Sequence, residues 1–576
     1  MPHLSTSSNR TPSTAAPKVA IVGSGPGGLA SAVLLAASGA KVTVFESQPV
    51  IGGRTARITS TSPSGDAYHF DTGPTFFMMP YVLEEVFAAA GRRMADYVKL
   101  ERLDPMYRLV IGRQGREPLV LDTTQDIDAM SKRLGAVYGP DGEAFPRFIA
   151  DNRYKLRHSE SILRNPMRTP LDLFAKNTWL DTLKVAPVLQ PHLSVHQLLG
   201  KYFKDPHVKL AVCFQSKYLG MSPYECPSLF TILPFIEYEY GIWHPIGGCN
   251  ALMQGLAAVA TELGVEIRTS SPVEKVEFEG QKATGVYIEG DSTRRLHRFD
   301  HVVMNADAAW ALKNLIPDSV RANSGRTYSD KTLDSRRYSC STFMLYLGVE
   351  NTADAKVQLP HHTICIADDY ENNLKQITST GELPQNPSVY VCNPSALDPT
   401  LAPPGHSALY VLVPITNLKN SDANGVDWEQ EKAKYREITL NRLDQLLGEK
   451  HLGKNFRQRI RTEVMYTPKT WEGMNINFGA TFNLAHNLGQ MLHKRPQNKL
   501  PFAENVYLVG GGTHPGSGLP TIFLSAQISS RLLCEASGLR YAGDSPSNPT
   551  SPTTPPTSSH TAAPHAHANE PAMANA

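Results

Sequence analysis

Residues 18–28 read KVAIVGSGPGG, and residues 41–46 read KVTVFE. Lys18–Gly23 has the short apolar pattern of a buried strand, and Lys41–Glu46 has that of a second. Between them, Pro26–Ser38 is rich in Ala and Leu and predicts a helix that stops at Gly39. Strand, glycine turn, helix and strand make a βαβ unit. Its turn, Gly23-Ser24-Gly25-Pro26-Gly27-Gly28, fits G-x-G-x-x-G. Gly23 permits the tight turn, Gly25 lets the backbone approach a pyrophosphate, and Gly28 allows the helix to pack closely on the strand. The helix N-terminus then presents unpaired N–H groups to phosphates. Eighteen residues beyond Gly28, Glu46 ends the second strand, where a carboxylate accepts hydrogen bonds from an adenosine ribose. G-x-G-x-x-G alone is a weak signal. In this setting it predicts dinucleotide binding.

The α/β pattern recurs twice. Asn250–Leu263 reads as an Ala-rich helix and Val265–Arg268 as a strand that leads into Ser271–Val276, where Val273 is a candidate cofactor contact. Thr284–Ile288 and His301–Met304 read as further strands. At the end, Val506–Gly510 reads as a strand, followed by a glycine-rich loop and a helix from about Pro520 to Glu535. The predicted fold class is α/β: a Rossmann-like domain assembled from the discontinuous segments 18–100, 242–310 and 500–542. The segments 101–241 and 311–499 carry more Pro, Tyr and Phe, and they read as an inserted α+β substrate domain. Residues 1–17 and 545–576, rich in Ser, Thr, Pro and Ala, are expected to be disordered, because they hold too little apolar surface to offset the entropy of ordering.

Composition excludes several classes. A chain of 576 residues with 41% hydrophobic and 19% charged residues is globular and too long for one core. Lys+Arg of 56 against Asp+Glu of 54 gives +2, which offers no footprint for nucleic acid. The seven cysteines are scattered, with no CxxC pair and no Cys/His cluster in sequence. Neither a disulfide framework nor a metal site is therefore expected, and the thiols read as reduced and buried. The N-terminus has no apolar core of a secretory signal, and no run of about 18 apolar residues suggests a membrane span. A cytoplasmic protein is expected, with peripheral membrane binding left open.

Further motifs decide between dinucleotides. Ile51-Gly52-Gly53-Arg54 follows the acid, and Phe70-Asp71-Thr72-Gly73-Pro74 comes next. Near the end stands Gly510-Gly511-Gly512-Thr513-His514-Pro515-Gly516-Ser517-Gly518-Leu519-Pro520. Tyr218–Pro223, Gly241–Gly248 and Tyr390–Ser395 followed by Asp398-Pro399 are further matches. With these motifs the chain, over roughly 18–540, resembles the bacterial and fungal phytoene desaturases, a branch of the FAD-dependent amine-oxidase-like superfamily. The resemblance implies non-covalent FAD. Gly53 and Arg54 would wrap the pyrophosphate and ribityl chain, with Asp71 and Gly73 close by. Gly511, Gly512, Thr513, His514 and Gly518 would lie in the closing flavin loop. His514 reads as a backbone-anchored flavin neighbour rather than a metal ligand or base. Monoamine oxidases carry an acid where this chain has Gly510–Gly512, which counts against amine oxidation.

The implied reaction is insertion of double bonds into phytoene or a related C30 or C40 polyene, with hydride transfer to the flavin. The sequence names no proton acceptor. Oxygen or a membrane quinone is the expected oxidant, since the only dinucleotide fingerprint is used by FAD. A carotenoid isomerase, a terminal-methyl oxygenase or a non-catalytic flavin-fold scaffold are the alternatives. A hydrocarbon substrate asks for an apolar tunnel and a peripheral docking surface, and Leu171–Phe203 is the candidate for the latter. The stretch Leu229–Tyr240 reads either as core or as tunnel lining.

Overall fold

The computed structural model describes residues 15–544. Lys18–Val22 is the centre of a five-stranded sheet in the order Val506–Leu508, His301–Met304, Lys18–Val22, Lys41–Phe45, Glu266–Arg268. All its pairings are parallel. A parallel sheet is covered on both faces, which is why its strands carry apolar residues at nearly every position. Val19 and Ile21 face a core shared with the helix Pro26–Ala37. The helices Asn250–Glu262 and Leu519–Ser537 pack against that helix on the same side. Ala20 and Val22 point the other way, with Val302, Met304 and Leu508, onto the antiparallel meander Val273–Glu279, Lys282–Ile288 and His297–Arg298. Three segments far apart in sequence thus make one parallel sheet.

A second sheet of seven strands runs in the order Ile460–Tyr466, Ser341–Glu350, His406–Ile415, Val389–Cys392, His362–Ile366, Arg108–Arg113, Arg116–Asp122. Its pairs are antiparallel except His362–Ile366 with Arg108–Arg113. Strand side chains alternate between faces. Phe343, Leu345 and Leu347, with Leu409, Val411 and Val413, bury against Trp428, Tyr435 and Leu443 of the helix Trp428–Leu452. The opposite register, including Tyr410, Leu412 and Pro414, faces the cavity described below.

The helix Ile232–Tyr240 buries Phe235, Ile236 and Tyr238 and contributes no residue to that cavity, so the Leu229–Tyr240 stretch is core rather than tunnel lining. The candidate docking segment divides. Leu171, Phe174, Trp179, Leu180 and Leu183 are exposed, whereas Leu198, Leu199 and Phe203 are buried core. Among the described residues, no helix is long and apolar enough to cross a membrane. The N-terminal tail up to residue 14, and the C-terminal tail from 545, lie outside the described residues.

Candidate active site: a dinucleotide cradle joined to an apolar chamber

The loop after Lys18–Val22 forms a compact backbone knot. A Cβ on Gly28 would lie 2.1 Å from the Gly23 carbonyl oxygen, so helix and strand touch where only glycine fits. A Cβ on Gly25 would lie 2.9 Å from Asn305 Nδ2. The Gly52 N–H donates to the Ser24 carbonyl at 3.1 Å, which seats the Gly53–Thr55 turn on this loop. Glu46 is 5% exposed and pre-oriented. Its Oε2 accepts from the Ser24 N–H and hydroxyl at 2.8 and 2.7 Å, and its Oε1 accepts from the Gln48 N–H at 2.9 Å.

Arg54 reaches across the cleft. Its Nη1 donates to the Thr481 carbonyl at 2.6 Å and its Nη2 to Asn483 Oδ1 at 3.1 Å. Asn483 in turn donates to Asp307 at 2.5 Å. Burial lowers the Arg54 pKa, and the Asp307 charge opposes that shift. Asp71 works from behind this turn. Its carboxylate accepts from the N–H groups of Cys249 and Asn250 at 2.9 and 3.1 Å, capping the helix Asn250–Glu262. Desolvation raises its pKa to about 6, against those two bonds. Asn250 Nδ2 then donates to the Thr55 carbonyl at 2.9 Å, tying that helix to the turn.

The closing loop is braced from below by Arg495, a fully buried cation whose bonds all go to main-chain carbonyls. Nη2 donates to Gly511 at 2.6 Å and to Leu484 at 3.1 Å, and Nε donates to Thr513 at 3.2 Å. Burial pushes its pKa down to about 9. Thr513 donates its hydroxyl to the Pro496 carbonyl. His514 directs Nε2 to the Asn165 carbonyl at 3.1 Å, and burial lowers its pKa to about 4.

One cavity connects these parts. Gly23, Gly25, Glu46, Gly53, Arg54, Gly73, Gly511, Gly512 and Gly518 line it. Gly28, Asp71, Val273, Thr513 and His514 do not. Gly28 is closed off by Gly23, Asp71 by the helix it caps, and Val273 sits in the packing between sheet and meander. Thr513 and His514 turn away from the cavity into the interior, where they brace the loop. Sequence reasoning missed Asn305, Asp307, Asn483 and Arg495. For the first two a signal existed, because they directly follow the strand His301–Met304, and open α/β sheets bind ligands at strand carboxyl ends.

Beyond the closing loop the cavity becomes an apolar chamber. Phe76, Met78, Phe214, Ile364, Leu412 and Trp471 line it. The lining acids, Glu46 and Asp307, are both at the dinucleotide end. Lys217 also lines the cavity. Its Nζ is buried without a hydrogen-bond partner, and desolvation lowers its pKa to about 8.

The cradle fits a flavin dinucleotide: backbone approach at Gly25, a helix N-terminus beyond it, an oriented carboxylate for a ribose, and an apolar compartment next to the loop. A model of the flavin containing amine oxidoreductase family matches residues 26–534, and the chain belongs to that family. Within it, the chain stands with the carotenoid desaturases. It is 40% identical over 524 residues to the 4,4'-diapophytoene desaturase (4,4'-diapolycopene-forming) of Methylomonas sp., covering 91% of this chain and 96% of the relative. It is 38% identical to the all-trans-zeta-carotene desaturase of Myxococcus xanthus, covering 90% of this chain and 94% of the relative. The fold is also that of an oxidoreductase from Methanosarcina mazei, with a TM-score of 0.56 at 19% identity over 88% of this chain and 98% of that one.

Proposed function

We propose that this chain uses FAD to introduce double bonds into a C30 or C40 carotenoid precursor. The observation that carries the reading is the continuity of one cavity from the oriented Glu46 carboxylate to a chamber walled by Phe76, Phe214, Leu412 and Trp471. FAD bound in the cradle would supply the acceptor for a hydride from an allylic carbon of the polyene. The protein's own work is positioning. A hydrocarbon offers no polar handle, so the chamber holds it by apolar burial, at about 25 cal/mol per Å² removed from water. The same walls keep water from the reacting carbons. The two named relatives differ in substrate, one a diapophytoene desaturase and the other a zeta-carotene desaturase. Expression in cells that make only phytoene, and separately in cells that make only diapophytoene, tests the reading. The expected product absorbs at longer wavelength than its precursor in at least one of the two. Unchanged absorption in both overturns the assignment.

The exposed side chains Leu171, at 77%, and Phe174, at 61%, with Trp179, Leu180 and Leu183, form an apolar patch beside exposed Arg168, Lys176 and Lys184. Such a patch suits the interface of an anionic bilayer, from which a water-insoluble polyene must be drawn. The only dinucleotide fingerprint is taken by FAD, so oxygen or a membrane quinone is the oxidant in this reading. Turnover under anaerobic conditions with added quinone, and without NADP, checks that part.

A further inference from the structure

The strands His362–Ile366 and Val389–Cys392 pair antiparallel, with His362 directly opposite Cys392. His361 is locked to the same place, because its carbonyl accepts from the Asn393 N–H at 2.8 Å. This register brings together three potential ligand atoms. Nδ1 of His361 lies 3.4 Å from Nδ1 of His362 and 3.7 Å from Sγ of Cys392. One ligand atom from each of the three residues lies within 4.8 Å of those of the other two, and all three residues are buried. The scattered cysteines and histidines gave no such cluster in sequence.

The spacing is what a metal ion asks for. A tetrahedral ion with bonds of about 2.0–2.1 Å to imidazole nitrogen and about 2.3 Å to thiolate sulfur places its N–N ligand pairs about 3.4 Å apart and its N–S pairs about 3.6 Å apart. The 3.4 Å N–N and 3.7 Å N–S separations from His361 match these two kinds of edge. We propose that His361, His362 and Cys392 form a binding site for a borderline-soft divalent cation of the zinc class, with three protein ligands and an open fourth position.

The ligand rings are held in place by a phenol and by a packed histidine. The Tyr390 hydroxyl lies 2.6 Å from His362 Nδ1 and also 2.6 Å from Thr75 Oγ1. Metal binding therefore frees Nδ1 without orphaning the phenol. The ring of His244 is centred 4.5 Å from that of His361, and its Nε2 is held 3.0 Å from the Asp398 carboxylate. Asp398 is fixed in turn by the Gly247 N–H at 2.6 Å. This carboxylate–histidine pair packs against the His361 ring without bonding a ligand nitrogen, so the ligand rings are oriented by packing and strand register. Binding would convert the Cys392 thiol to thiolate with release of a proton. His362 and Tyr390 line the apolar chamber, so the ion would pin together the two strands that form its wall.

The test uses the full-length flavoprotein. It is expressed with zinc supplied, desalted, and assayed for metal and flavin by elemental analysis and absorbance. About one zinc per chain is expected in the wild type, and little in Cys392→Ser or His361→Ala. Cobalt(II) added to chelator-treated wild type should give intense ligand-field bands on the red side of the flavin absorption, displaced by zinc. Wild type that takes up neither metal overturns the proposal. So does zinc that persists equally in both variants, since it is then bound elsewhere. The cobalt spectrum needs no variant, so a folding defect in either substitution leaves the proposal open to refutation.

Discussion

Arg54 and Asn483, 429 residues apart, meet at 3.1 Å and close the dinucleotide cradle from opposite sides. The contact joins the Gly53–Thr55 turn to the loop that precedes Arg495, and Asn483 extends it to Asp307. Arg54 is half-buried and lines the cavity with its charge. Its truncation removes charge-assisted hydrogen bonds worth roughly 1.5–3 kcal/mol. Arg54→Ala should therefore retain flavin about 10- to 100-fold more weakly than wild type. The flavin-to-protein absorbance ratio after dilution and desalting measures this. Full retention would show that Arg54 does not hold the cofactor.

The glycine knot gives a sharper contrast. Gly28→Ala drives a methyl into the Gly23 carbonyl at 2.1 Å, a backbone contact that no rotamer relieves. A Cβ on Gly39 would meet nothing within 4 Å, though the φ of +96° there still favours glycine. Gly28→Ala should yield little soluble flavoprotein. Gly39→Asn, which tolerates positive φ better than most residues, should keep its flavin and lose about 1 kcal/mol. Thermal unfolding with flavin fluorescence separates the two.

Lys217 is a buried ammonium without a hydrogen-bond partner, and its pKa is lowered to about 8 from an ordinary 10.5 by desolvation. Below about pH 8 the lysine is charged in both states, and the folded state bears the full cost. Between about 8 and 10.5 the unfolded chain holds the proton and the folded one does not, so this cost fades as pH rises. Lys217→Met should therefore melt higher than wild type at pH 7, with the gap narrowing above about pH 8. A gap of constant size would mean that the gain came from packing alone.

The exposed patch predicts liposome binding. Trp179→Glu combined with Leu183→Glu removes two apolar contacts, each worth roughly 1.5–3 kcal/mol if fully buried in the interface. Co-sedimentation with anionic vesicles should fall at least tenfold, and turnover of liposomal substrate should slow, while flavin content stays unchanged. Loss of flavin would instead show that the substitutions disturb the fold rather than a docking surface. Normal binding would move the docking surface elsewhere.

The sequence by itself determined the parts of this protein whose chemistry is local. Lys18–Val22, Pro26–Ala37 and Lys41–Phe45 follow within a residue or so of the predicted elements, because apolar periodicity and glycine spacing act over one βαβ unit. Glu46 was legible for the same reason: a strand end at a set distance from the glycine turn places its carboxylate. The tertiary structure decided what depends on register and distant pairing. Asp307, Asn483 and Arg495 reach the cradle from strand and loop ends that only the assembled sheet brings near Arg54. Thr513 and His514 sit in a recognisable loop, yet their buried side chains turn away from the cavity, because backbone carbonyls at Pro496 and Asn165 offer partners there. Leu171–Phe203 reads as one apolar segment, but only packing separates exposed Phe174 from buried Phe203. The meeting of His361, His362 and Cys392 was hidden for the same physical reason. Strand side chains alternate with a period of two, and a one-residue slip between His362 and Cys392 would send the thiol to the opposite face of the sheet.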